Sequence, residues 1–389
     1  MGRINDLIKE MCPNGVEFKK LEDCCNILDN KRKPISKGIR EMGEYPYYGA
    51  NGIQDYINDY IFDGKYVLVG EDGSVQTPNG TPIVNWAIGK IWVNNHAHII
   101  EEIDGVSLKY LYHYLQIVDV KDLIHGNIPK LNQSNFRNIK IAVPPLEVQE
   151  EIVKILDKFG ELEAELEAEL EARKSQYEFW REKLLNDDNL VTIRDLLEDK
   201  GYIRGPFGSA LVKADMVSEG IPVYEQQHAI YNHRNFRYFI SLDKAKKLER
   251  FSIKPNDLII SCSGTVGKVS VISDNDPKGI INQALLILRL NKKLIMPKYM
   301  KYYLESPVGY RSITSNTNKS AQVNIANRET IEKIKISVPS LEHQKHIVNI
   351  LDKFDALVND ISEGLPAEIE LRRKQYEYYR NKLLSFEEL

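Results

Sequence analysis

Apolar positions along this chain follow two periods. From Leu146 to Leu185 they recur every three or four residues: Ile152, Ile155, Leu156, Phe159, Leu162, Leu166 and Leu170, then Tyr177, Trp180 and Leu184. That spacing predicts one long helix with a single apolar face. It returns as Ile347, Ile350, Leu351, Phe354, Val358 and Ile361, then Tyr376, Tyr379 and Leu383. There Gly364-Leu365-Pro366 interrupts it, and a break or kink is expected. Just before each helical stretch the period drops to two. Ile139, Ile141 and Val143, and likewise Ile334, Ile336 and Val338, alternate as half-buried strands closed by Pro144-Pro145 and by Pro339.

The two stretches are copies. IKIAVPPLEVQEEIVKILDKF (139–159) aligns without a gap on IKISVPSLEHQKHIVNILDKF (334–354), at an offset of 195 residues. RKSQYEFWREKLL (173–185) matches RRKQYEYYRNKLL (372–384) at an offset of 199. A repeat at this distance is a duplicated module, not a solenoid, whose periods are far shorter. The order is domain (1–145), helix (146–187), domain (188–340), helix (341–389). Two like apolar faces in one chain should pack together. An antiparallel pair lets each helix carry the chain along a rod, with a domain at each end; a parallel pair would force a domain to span the rod. An antiparallel, coiled-coil-like rod between two domains, with an approximate two-fold axis, is therefore expected.

Within the domains the signals are those of a mixed α/β (α+β) fold. Strand-like runs stand at 65–69, 90–93, 258–261 and 285–288, punctuated by NG at 51–52 and 79–80 and DG at 63–64. Each domain also holds a Tyr-rich helix, LKYLYHYLQ (108–116) and PKYMKYYLES (297–306).

Composition narrows the class. The 389 residues suffice for two or three domains. No run approaches the roughly 18 apolar residues of a membrane span. MGRINDLIKEM lacks the apolar core of a signal peptide. Cys12, Cys24, Cys25 and Cys262 form no CxxC pair. A cytoplasmic protein with free thiols and no bound metal is the expectation. The net charge of -4 hides an uneven division: residues 188–333 balance at +7, residues 1–138 at -3 and residues 139–187 at -6. A basic domain suits a polyanionic partner.

No catalytic constellation stands out. GTVGK (264–268) has the wrong Gly spacing for a phosphate loop and no Ser or Thr after the Lys, so it reads as a tight turn. No GxGxxG follows a strand. VPPL (143–146) is not the Asn/Asp-Pro-Pro-aromatic tetrapeptide of amino methyltransferases. His96 and His98 have no obvious carboxylate partner and read as structural. Polar and basic loops are more informative. Lys31, Arg32 and Lys33 precede a Pro, and Tyr48 and Asn51 follow in YPYYGANG. In the second domain Gln226, Gln227, His228, Asn232, His233, Arg234, Asn235 and Arg237 crowd one stretch, with Asn318 and Lys319 in another. Arg204 and Lys268 add charge. Arg reads guanine, Asn and Gln read adenine, and Lys and Arg hold phosphates, so these clusters are the candidate DNA contacts.

VPPLEVQEEIVKILDKF and VPSLEHQKHIVNILDKF, with the QYEFWREKLL and QYEYYRNKLL that follow, resemble the conserved regions of type I restriction–modification specificity subunits. The layout covers nearly the whole chain. The resemblance implies two target-recognition domains, each reading half of a split DNA site, with the gap unread. It also implies that chemistry belongs to partners: two modification subunits binding S-adenosylmethionine and methylating adenine, and two motor-nuclease subunits using ATP and Mg²⁺. This chain would hold no cofactor. Contacts in such domains vary too much to carry over residue by residue.

Residues 161–172 repeat the word ELEA three times, like the short central repeats of some members, whose copy number is thought to set half-site spacing. One word adds about 6 Å at roughly 1.5 Å per residue and turns the helix about 40° past a full turn. A DNA base pair advances roughly 3.4 Å and rotates about 35°. One word therefore corresponds to one or two base pairs. Leu162, Leu166 and Leu170 are its apolar positions, and its six Glu belong away from phosphates or against a basic partner. Two rival readings are a coiled-coil scaffold joining two protein-binding modules and a self-sufficient methyltransferase or nuclease. The first leaves the amide- and Arg-rich loops unexplained; the second lacks a cofactor loop.

Overall fold

The computed structural model describes residues 2–73, 75–125, 128–314 and 325–389. The chain divides into two compact units, Met1–Glu167 with Glu368–Leu389, and Ala168–Ala367. Strands of the first unit are β1 (Glu17–Lys20), β2 (Asn26–Ile27), β3 (Met42–Gly49), β4 (Gly52–Ile57), β5 (Phe62–Gly70), β6 (Val84–Val93), β7 (Ala97–Glu101), β8 (Ile124–His125), β9 (Lys130–Leu131) and β10 (Lys140–Val143). Its helices are α1 (Gly2–Met11), α2 (Leu108–Leu115), α3 (Gln133–Arg137) and the first part of α4 (Leu146–Leu184). The second unit holds β11 (Leu190–Thr192), β12 (Leu197–Arg204), β13 (Met216–Val217), β14 (Ile221–Tyr224), β15 (Phe239–Ile240), β16 (Leu258–Ser261), β17 (Val269–Val271), β18 (Ile280–Ile281), β19 (Leu285–Leu290) and β20 (Lys335–Ser337). Its helices are α5 (Ile193–Leu196), α6 (Gln226–Ile230), α7 (Leu242–Lys247), α8 (Pro297–Glu305), α9 (Pro307–Thr314), α10 (Arg328–Lys333) and α11 (Leu341–Asn359). Helix α12 (Leu365–Leu384) belongs almost wholly to the first unit.

Among the described residues, the first unit has a six-stranded sheet in the order β2-β7-β5-β6-β3-β4, beside the pairs β1-β10 and β8-β9. The second has two four-stranded sheets, β12-β19-β16-β17 and β13-β15-β14-β18, and the pair β11-β20. The central strands are buried on both faces, so they read as apolar runs rather than as an alternation. Val67 and Val69 of β5 enter the core closed by α2 and α4, while Leu68 enters a second core with Tyr48 and Ile91. Likewise Leu258, Ile260, Leu286 and Leu288 share one core of the second unit, and Ile259, Leu285 and Ile287 another.

Each unit fastens its long helix in the same way. Oε1 of the buried Gln149 accepts the Ser107 N–H (2.9 Å), and its Nε2 donates to the carbonyls of Gly105 (3.1 Å) and Pro144 (2.8 Å). Gln344, its counterpart, takes the Met296 N–H (2.8 Å) and donates to Leu294 (3.0 Å) and Pro339 (2.8 Å). The Tyr110 hydroxyl donates to Ala142 O, and that of Tyr299 to Ser337 O (2.9 and 3.0 Å). Asp157 accepts from His113 and Lys109, and Asp352 from Tyr302 and Lys298.

Helix α4 runs unbroken through the ELEA words. In the first unit it pairs with α12. Phe159 stacks on Tyr379 (5.5 Å), while Glu163 and Glu167, further along α4, grip Arg373, which lies earlier in α12. The pair is therefore antiparallel. In the second unit Phe354 of α11 stacks on Tyr177 (6.1 Å). Leu162 stays 38% exposed, and Leu166 and Leu170 are half-buried. A strict four-residue step drifts about 40° per word, so these leucines cannot all face one neighbour. The second helical stretch breaks, as Gly364-Leu365-Pro366 indicated, into α11 and α12, with 360–364 between them. Asp360 Oδ1 accepts the Ser362 N–H there (2.7 Å), and a Cβ on Gly364 would stand 2.5 Å from Ala356 O.

Candidate nucleic-acid interface

In the second unit the polar stretch after β14 forms α6 and an irregular loop. Its residues divide into those that build the loop and those that face out. His228 is fully buried against Phe236 (4.6 Å between centroids). Its Nε2 donates to Asn235 O (3.0 Å), and its Nδ1 accepts the Glu225 N–H (2.7 Å). Burial holds it below the usual imidazole range, against the pull of those backbone bonds. Arg234 is also structural. Nε donates to Asp276 (2.8 Å), Nη1 to His233 O (3.0 Å), and Nη2 to Ser270 Oγ (3.1 Å), and the side chain is 18% exposed. Asn232, at φ +52°, accepts from Ser270 Oγ (2.5 Å). The expectation that His228 and Arg234 read bases is corrected: their donors already have partners within the unit.

What faces out is a smaller set. Arg237 is 65% exposed although Glu225 holds it through two bonds of 2.8 and 2.9 Å. Gln227 donates to the same carboxylate (3.3 Å). Asn235 and Lys268 are exposed, and Gln226 and His233 partly so. Gln226 reaches the β16–β17 turn, taking a bond from Ser263 Oγ (3.3 Å) and giving one to Thr265 O (3.5 Å). That turn is the GTVGK segment, a hairpin with Gly264 and Gly267 at positive φ, as its spacing indicated. Tyr231, which sequence reasoning missed, is 71% exposed and lies parallel to His233 (6.1 Å). Asn318 and Lys319 lie outside the described residues.

In the first unit Lys31, Lys33 and Asn51 are exposed, Asn51 at the tip of the β3–β4 hairpin. Tyr48 is 8% exposed, packed with Phe62 and Ile91, and is corrected to a core residue. Arg32 is corrected too. It donates to Glu71 Oε2 and Ala97 O (2.6 Å each) and pairs with Asp29 (3.4 Å). A surface cluster missed in the sequence is Lys90 over Tyr60 (4.5 Å) and Tyr45 (5.8 Å), with Tyr56 exposed nearby in sequence. Its members come from three separate strands and turns, so no local signal marked it.

His96 and His98 do have carboxylate partners. His96 meets Asp72 (2.5 Å) and His98 meets Asp29 (2.7 Å). Asp29, Glu71 and His98 sit close enough to hold a cation. The donor set does not fit one. His98 points one nitrogen at Asp29 and the other at Leu131 O (2.8 Å), so both must donate and no lone pair is left for a metal. Arg32 and Lys130 already sit on Glu71. The cluster is a buried salt-bridge hub. Burial raises both carboxyls, but His98 and Arg32 outweigh it and hold Asp29 and Glu71 below their usual range.

Two mixed α/β units, each with outward polar loops and a matching helix clamp, define a duplicated two-unit protein. A family model described as "Type I restriction modification DNA specificity domain" matches residues 13–172 and again 206–371. The chain belongs to this family. It is 36% identical, over 95% of its length and 96% of the relative's, to a putative type I restriction enzyme specificity subunit of Haemophilus influenzae. It is 31% identical to a type I restriction enzyme specificity subunit of Escherichia coli, over 72% of this chain and 71% of that one. Among solved structures, the S subunit of a type I restriction–modification system from M. genitalium matches with a TM-score of 0.58 at 14% identity, covering 96% of this chain and 97% of that one. Within the described residues, no helix is long and apolar enough to cross a membrane.

Proposed function

We propose that this chain is the DNA-reading subunit of a type I restriction–modification assembly. Each unit reads one half of a split duplex target, and methyl transfer and cleavage are carried out by partner subunits. The observation that carries this reading is the paired fastening at Gln149 and Gln344: two units of different loop sequence are joined to their helices by the same bonds. Such a design keeps the frame constant while the loops differ. Lys31, Lys33 and Asn51 in the first unit, and Gln226, Asn235, Arg237, Tyr231 and Lys268 in the second, are the contacts it favours.

The duplication also favours two copies of one partner. Phe179 is 60% exposed beside Lys183, and its counterpart Tyr378 is 59% exposed beside Lys382. An aromatic and a cation repeated at equivalent positions suit two identical modification subunits, which bring S-adenosylmethionine; motor-nuclease subunits using ATP and Mg²⁺ complete the assembly.

The test is a methylation map. The chain is co-expressed with its modification subunit in a host lacking methylation, and methyladenine is located by single-molecule sequencing. A split motif with a fixed unread gap is expected. Absence of new methylation, with both proteins soluble and associated, overturns the reading in favour of a scaffold, whose binding would lack the steep salt dependence of counterion release.

A further inference from the structure

Two cavities of about 350 and 560 Å³ in the second unit share Tyr202, Arg250 and Arg328 in their walls. Arg204 lines the first; Lys200, Arg289 and Asp199 line the second. Arg289 is neutralised by Asp257 through two bonds of 2.8 Å. Among the described residues Arg328 gives only Nε, to Glu332 (2.7 Å), and it lays its guanidinium over Tyr202 (5.3 Å). Arg250 is exposed. Nη1 of Arg204 is buried and has no hydrogen-bond partner among the described residues.

The first unit shows what that position ordinarily requires. Arg32 and Arg204 occupy matching places. Arg32 follows β2 and Arg204 closes β12, the second strand of each unit, and each lies beside the residue that follows the central strand: Glu71 after β5, Cys262 after β16. The carbonyl of that residue accepts an N–H from the segment leading to a short helix, Leu131 in one unit and Ile325 in the other (2.8 and 3.2 Å). In the first unit Asp29 and Glu71 close around Arg32. In the second, Arg204 meets Cys262, which burial pushes up to about 12 and so keeps as a neutral thiol. A buried guanidinium N–H left without a partner is costly, and an incoming anion satisfies it. The next residue, Ser263, bonds Gln226 of the outward polar loop.

We propose that Arg204, Arg250 and Arg328 form an anion pocket that holds one backbone phosphate of the duplex read by the second unit. The proposal rests on the functional reading above and adds a site to it. A phosphate clamp sets register and carries no sequence information, so its loss weakens binding without changing the motif.

The test uses the full chain assembled with its modification subunit and a duplex carrying the mapped motif. Arg250→Gln and Arg328→Gln are compared with the parent for affinity against salt and for methylation motif; Arg204→Lys, which keeps the charge, is the companion to Arg204→Gln. Arg250 is exposed, so that variant folds whatever becomes of Arg204→Gln. Expected are an affinity loss of about tenfold for the Arg250/Arg328 double variant, a log–log salt slope shallower by about one, and an unchanged motif. Unchanged affinity and slope overturn the pocket. A motif relaxed at one position also overturns it, and makes these residues base readers. If the parent assembly itself binds no duplex, the functional reading fails and takes the pocket with it.

Discussion

Asp29 shows how far a single side chain reaches. It accepts from His98, from the Ile99 N–H (3.0 Å) and from Gln133, and it pairs with Arg32. Removing its charge leaves buried cations facing an amide. Asp29→Asn should cost about 3–5 kcal/mol in urea unfolding at neutral pH. The sign with pH follows from its depressed folded value: this stability is fully present above the ordinary carboxylate range, near about pH 4, and is lost as pH falls through the folded value. The variant should therefore show a flatter acid limb than the parent. Arg234→Ala should also act on stability, by about 3–5 kcal/mol, because it strands Asp276 at 12% exposure. A variant of parental stability that relaxes one half-site position would restore Arg234 as a base reader. None of these partners was legible in the sequence. His98 and Asp29 are 69 residues apart and Arg234 and Asp276 are 42 apart, and composition treats a buried Arg and a surface Arg alike.

At the scale of elements much more was legible. The strands at 258–261 and 285–288, both Tyr-rich helices and the break after Asn359 fall where periodicity and Pro/Gly punctuation put them. These elements are set by local pattern, and the two-sided burial of β5, β16 and β19 only strengthens it. The ELEA words are different, because their meaning depends on the neighbour. Arg373 grips Glu163 and Glu167, the same letter of two successive words. Deleting residues 165–168 moves Glu171 into the place of Glu167, so Arg373 keeps both carboxylates. Such exposed pairs contribute less than about 1 kcal/mol each, and thermal stability should hardly change. The methylation map of the deletion should show the same half-sites with a gap shorter by one or two base pairs. A gap of parental length would refute the role of the words in spacing.

For the whole molecule, duplication implies that each unit is fastened independently. Gln149→Ala strands the Ser107 N–H and the Gly105 and Pro144 carbonyls, at about 1–3 kcal/mol for each group left unsatisfied. In hydrogen exchange, protection should fall at Ser107 and stay parental at Met296, its counterpart beside Gln344. Equal loss at both would show one cooperative structure instead of two. The repeat itself was legible because both copies keep the residues that make these bonds. The contrast between Arg32 and Arg204 was not, since it lies in what surrounds them.

The twin fastening has a consequence for heredity. The segments 139–159 and 334–354 share 15 of 21 residues and make the same bonds. A genetic crossover within the first segment, between this gene and a relative, would exchange everything downstream and still rebuild Gln149's three contacts from matching letters. The recombinant would inherit an intact frame and a new pair of reading surfaces in one event, without passing through an unstable ancestor.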